Sequence, residues 1–182
     1  MNVNRSIKQA VVEAPPWKLR QLAAVCCRLL IERYPDEWPE KIFREEEGHP
    51  GGHVSPKDWP GRILLEAAQI AEALSTSDAG AIDLRPAYAK AKIAAKDCYD
   101  AFCWANHKLG DSATGAEFEV GFVAWQAASA ARECCADKIN GSIGACIEHT
   151  IEALAFRWNE SEKPVALRAE RDAMAERIRK IL

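Results

Sequence analysis

Between Val120 and Ala131 the chain carries no charge, and its only polar side chains there are Gln126 and Ser129. Coiled as a helix, such a stretch is apolar on nearly every face, and a helix without a polar side has to be enclosed. A bilayer crossing needs roughly 20 apolar residues, more than this run holds, so the enclosure has to come from the rest of the polypeptide. The sequence therefore predicts an all-α fold. The expected architecture is a single-domain bundle over 1–182, with about six to seven helices around a buried, alanine-rich central helix from Ala116 to about Asp137.

The other elements follow from periodicity and punctuation. A first helix is expected from about Asn4 to Glu13, ended by Pro15, and a second from Trp17 to Tyr34, where Leu19, Leu22, Cys26 and Leu29 recur at helical spacing. Residues 35–61 read as an irregular acidic loop. It contains an internal echo, Pro35-Asp36-Glu37-Trp38-Pro39 and Pro56-Lys57-Asp58-Trp59-Pro60, and each copy precedes a helix: a short one from Glu40 to Glu47, and one from Arg62 to Leu74. After a loop from Ser75 to Asp83, with Asp83 as the expected cap, Leu84, Tyr88, Ala91, Ala95, Cys98, Phe102, Ala105 and Leu109 step by four and three. That is the pattern of a helix lying along a nearly antiparallel neighbour, and the central helix is the natural one. Gly141 and Ser142 mark a turn before a helix from Ile143 to Trp158. Pro164 opens a C-terminal amphipathic helix over 164–182, whose stripe of Leu167, Met174, Ile178 and Ile181 either docks on the body or forms a homodimer through 165–182. No alternating β-branched run appears, so no strand is expected.

Charge and cysteine content narrow the function classes. A net charge of −3 argues against nucleic acid as a direct ligand, because phosphate neutralisation needs a basic surface. The first fourteen residues hold Arg5 and Lys8 but no apolar run of signal-peptide length, so a cytoplasmic protein without membrane association is expected. Seven cysteines are an odd number for a disulfide framework. All lie in apolar helical surroundings, where free cysteine behaves as a small buried hydrophobe.

The 35–61 region concentrates the acidity. From Glu32 to Asp58 eight carboxylates face four basic side chains, a net of −4, while the whole chain is only −3. Acidic residues beside aromatic anchors suit a basic protein partner, since complementary charge speeds encounter and a buried ring supplies affinity. Trp38, Glu45, Glu46, Glu47, Asp58 and Trp59 are the expected partner-binding residues. The alternative is a metal-dependent or nucleolytic enzyme centred on Arg44, His49 and His53. Glu45, Glu46, Glu47, His49, His53 and Asp58 could offer oxygen and nitrogen ligands to a divalent metal, but Pro50-Gly51-Gly52 between the histidines prevents an i, i+4 pair. No catalytic residue or cofactor is assigned. Cys146 and His149, three apart on one helix, have thiol-nucleophile spacing but need an electropositive setting. An accessory subunit of a nucleic-acid-associated complex is a further alternative.

Three resemblances can be placed on residues. Arg44 and His49 have the Arg-x4-His spacing of the HEPN nuclease family, but Glu45 stands where that family has a polar residue, and glycine and proline interrupt the helix. The run Trp17-Lys18-Leu19-Arg20 to Cys26-Cys27-Arg28 resembles the opening of uncharacterised bacterial all-helical proteins with a Lys-Leu-Arg then Cys-Cys-Arg signature. The succession of alanine-rich helices is similar to helical immunity proteins of bacterial toxin systems. That last resemblance implies a non-enzymatic protein-binding module of immunity or adaptor type.

Overall fold

The computed structural model describes residues 9–33, 61–76, 81–108, 115–156 and 162–182. A helical turn at 9–13 leads into six longer helices: α1 (Pro16–Arg33), α2 (Gly61–Ala73), α3 (Arg85–Lys108), α4 (Gly115–Cys134), α5 (Ile139–Leu154) and α6 (Lys163–Ile181). The described residues contain no strand. None of their helices is long and apolar enough to cross a membrane.

The uncharged stretch is the interior of the bundle. From Gly121 to Ala131 every residue of α4 is buried except Phe122 and Trp125, which are half-buried. The helix packs against α1, α2, α3 and α5. Its two sides serve different neighbours. Val123, Ala127, Ala130, Ala131 and Cys134 join the main core with Leu19, Leu22, Leu64, Ile143 and Met174, whereas Ala124 and Ala128 meet Ala94, Ala95 and Cys98 of α3 in a second cluster. Each fully buried Leu or Ile contributes roughly 1.5–3 kcal/mol. The alanines contribute less apiece but let the helix axes approach. A Cβ added to Gly121 would sit 3.2 Å from the Cα of Phe102 on α3. Around that approach Phe102 stacks on Trp125 at 5.6 Å, and Phe122 meets Phe156 at 4.9 Å.

Local chemistry sets the helix ends. Pro16 occupies the first position of α1, where its missing amide costs nothing, and the Pro15 carbonyl accepts from the amides of Lys18 and Leu19. Asp83 accepts the amide of Arg85, one position earlier than a standard N-cap, and also grips the Arg85 guanidinium at 2.8 and 2.9 Å. Pro164 lies in the first turn of α6, as expected. That helix docks on α5 and α1 through Met174 and Ile178 and leaves its charged face outward.

Three sequence expectations are corrected. The turn after the central helix falls at 135–138, so Gly141 and Ser142 lie inside α5. Ser142 accommodates this because its hydroxyl donates back to the Lys138 carbonyl at 3.4 Å, a bond compatible with helix. Tyr88 is 36% exposed, and Ala87 and Ala94 take places in the buried face of α3. Ala95, Cys98 and Phe102 of the expected steps do meet α4, and Ala94 joins them. Finally, Cys103 is exposed, unlike the six other cysteines.

Candidate binding cleft

A charged side chain sits where α1 should be apolar. Arg20 follows Leu19 into the core and is only 5% exposed. Its guanidinium donates to the carbonyls of Cys134 at 2.7 Å, Ala136 at 2.6 Å and Asp137 at 3.1 Å. The Cys134 carbonyl is one that the end of α4 leaves without an intrahelical partner, those of Ala136 and Asp137 belong to the following turn, and the cation also meets the negative end of the α4 dipole. Burial pulls the Arg20 pKa below its ordinary value, while the nearby groups of Cys134, Cys135 and Asp137 oppose that pull. The chain is thereby turned at 135–138 and held there.

The held turn forms one wall of a cleft of about 400 Å³, within the size range of small-ligand pockets. Cys135, Ala136 and Asp137 line one side, and Ile82, Asp83, Leu84, Arg85 and Tyr88 line the other. Leu84 and Cys135 are buried, whereas Ile82 and Tyr88 present apolar and aromatic surface. The hydrogen bond from the Arg85 guanidinium keeps the Asp83 carboxyl below its usual range, so this wall carries a carboxylate at neutral pH. The Cys135 thiol is pushed up to about 12, mainly by burial, and is protonated there. The cleft therefore offers an aromatic ring, aliphatic surface, the Asp137 carboxylate and an Asp83 carboxylate already paired with Arg85, and its thiol is a poor nucleophile at neutral pH.

A second polar contact lies between α4 and α5. Gln126, the polar exception in the central helix, is within 2.7 Å of Nδ1 of His149. Burial lowers the His149 pKa, and the Arg132 charge lowers it further. Cys146 does not share this site. Its thiol faces the core, where Sγ donates to the Ala130 carbonyl at 3.4 Å, and its pKa is raised by a hydrogen bond with Cys26 and by burial. The three-residue spacing of Cys146 and His149 thus yields no nucleophile and base in contact.

The sequence candidates Trp38, Arg44, Glu45, Glu46, Glu47, His49, His53, Asp58 and Trp59 lie outside the described residues. Among the described residues no group of three or more His, Cys, Asp or Glu side chains is placed to hold a metal ion. The cleft residues were not among the sequence candidates. Periodicity assigned Tyr88 to the core, and the only signal for Arg20 was a charge directly after Leu19 in an otherwise apolar face. No family model, curated protein or solved structure matches the chain.

Proposed function

We propose that the chain is a non-enzymatic protein-binding module of immunity or adaptor type, and that its partner is a basic protein. The observation that carries this reading is the cleft, which sets exposed Tyr88 and Ile82 beside the Asp137 carboxylate and the Asp83–Arg85 ion pair. A lysine or arginine from a partner would lay its stem on the apolar wall, its charge on the tyrosine face and its donors on a carboxylate. The acidity concentrated in sequence between Glu32 and Asp58, with Trp38 and Trp59, is of the same chemical kind. The cleft is built on helices of a buried core, and a preformed site keeps the ordering cost of association low.

The test is capture of binding proteins from the native cell, followed by titration of each purified partner against two sets of variants. One set is Tyr88→Ala with Asp137→Lys, and the other reverses the charge at Glu45, Glu46 and Glu47. A basic partner whose affinity falls at least tenfold with either set supports the reading. A partner that binds all variants as it binds the parent, or an acidic one, refutes it.

A further inference from the structure

The charge balance of the cleft between 82–88 and 135–137 narrows what can sit in it. Asp83 and Asp137 against Arg85 leave a net of −1 among its lining side chains, so one positive charge completes it. The Asp83 carboxylate is already closed by the fork of Arg85, with Nε at 2.8 Å and Nη2 at 2.9 Å. The acceptor left over is the exposed carboxylate of Asp137. Its backbone is fixed from inside, because Arg20 donates to the carbonyls of Ala136 at 2.6 Å and Asp137 at 3.1 Å. Buried Leu84 and Cys135 add uncharged lining, and Ile82 and Tyr88 stand exposed beside them. An ion pair in so open a setting adds little by itself. Affinity has to come from surface that the cation lays on the walls.

We propose that the cleft selects arginine: it takes one arginine side chain of the basic partner in preference to lysine, with the guanidinium flat on Tyr88 and its edge on the Asp137 carboxylate. This assignment rests on the protein-binding function proposed above and narrows the partner to one residue type at the contact. A guanidinium is planar, forked and weakly hydrated, so it stacks on a ring with its face and donates to both carboxylate oxygens with its edge. An ammonium is a compact charge that holds its water, and in an exposed cleft it gains little by trading that water for a single carboxylate. The same wall already displays the favoured geometry, since Arg85 closes on both oxygens of Asp83. The stem of the incoming side chain lies along Ile82 and Leu84. A volume of about 400 Å³ is at the small end of ligand pockets and suits one long side chain rather than an extended peptide.

The experiment titrates the isotope-labelled full chain with N-acetyl-arginine amide, N-acetyl-lysine amide and N-acetyl-citrulline amide at constant ionic strength and follows backbone amides by NMR. The arginine probe shifts amides within 82–88 and 135–137 and saturates with a Kd on the order of 1 mM, as expected for a single anchoring side chain. The lysine probe binds at least fivefold more weakly, and the citrulline probe, of the same shape without the charge, does not saturate. Asp137→Asn weakens the arginine probe at least fivefold. Tyr88→Leu keeps apolar surface but removes the ring, and it brings the arginine probe down to the level of the lysine one. Both positions are exposed, so the two variants keep the fold, which the rest of each spectrum verifies. Equal affinity for the arginine and lysine probes, saturation by citrulline, shifts confined to other residues, or unchanged arginine binding in Asp137→Asn would each overturn the proposal. A basic partner that depends on the cleft, together with an arginine probe that does not bind, sinks the arginine assignment and leaves the protein-binding function standing. An arginine probe that binds as described, with no basic partner depending on the cleft, supports the site and sinks that function.

Discussion

Replacing Arg20 by alanine tests the claim that one buried cation shapes the end of the central helix. The substitution removes three donors at once. The Cys134 carbonyl is buried, and losing a charged donor there costs about 1–3 kcal/mol. The bonds to Ala136 and Asp137 are only part-buried, so water takes over much of their role and each loses roughly 0.5–1 kcal/mol. Relief of the desolvation that burial imposes on the guanidinium offsets part of this. The net is about 2–4 kcal/mol, and a chain of this size loses about 2–4 °C of Tm per kcal/mol. Thermal unfolding of Arg20→Ala should therefore fall by about 10 °C. Amide hydrogen exchange should quicken at 135–138 before it does in α5. Arg20→Lys, which keeps the charge but cannot reach three carbonyls together, should lie between the two. A Tm for Arg20→Ala within about 2 °C of the parent would refute the reasoning, since the carbonyls would then be satisfied without the clamp.

Other expectations are as direct. Gly144 sits in α5 with nothing within 4 Å of an added Cβ, so Gly144→Ala should raise stability by about 0.5–1 kcal/mol in a urea titration. Gly121→Val, whose side chain would press on the Phe102 backbone, should lower it by about 2 kcal/mol or more. The folded-state pKa of His149 is depressed by burial and by Arg132, so the unfolded chain binds the proton more tightly. Stability should hold above pH 6.5, its ordinary value, and fall as pH drops through the lower folded value, with a smaller fall in His149→Gln. With a thiol at about 12, alkylation of Cys135, followed by peptide mass, should speed up about tenfold per pH unit between pH 7 and 9.

The bundle and its central helix were legible because a run without charge leaves few alternatives, and because alanine and leucine spacing on α1, α2 and α3 follows the helical period. The turn at 135–138 was not legible. Gly141-Ser142 carried the stronger local breaking signal, while the actual cause, Arg20, lies more than a hundred residues away in sequence. Tyr88 was misplaced for a related reason: steps of three and four do not distinguish the centre of a buried face from its edge. The cleft escaped notice because its two walls meet only in the folded chain. The acidic segment with Trp38 and Trp59 was read from composition, which is local, and lies outside the described residues.

The seam where Ala94, Ala95 and Cys98 meet Ala124 and Ala128 has a bearing on how this protein can change over generations. A joint built from bulky side chains can absorb an altered residue by letting a neighbour swing to another rotamer. Methyl groups have no rotamers to change, so a larger residue at this joint can be accommodated only if a whole rod shifts. Drift along the seam should therefore run through exchanges among glycine, alanine, serine and cysteine, leaving innovation to the rims of the molecule.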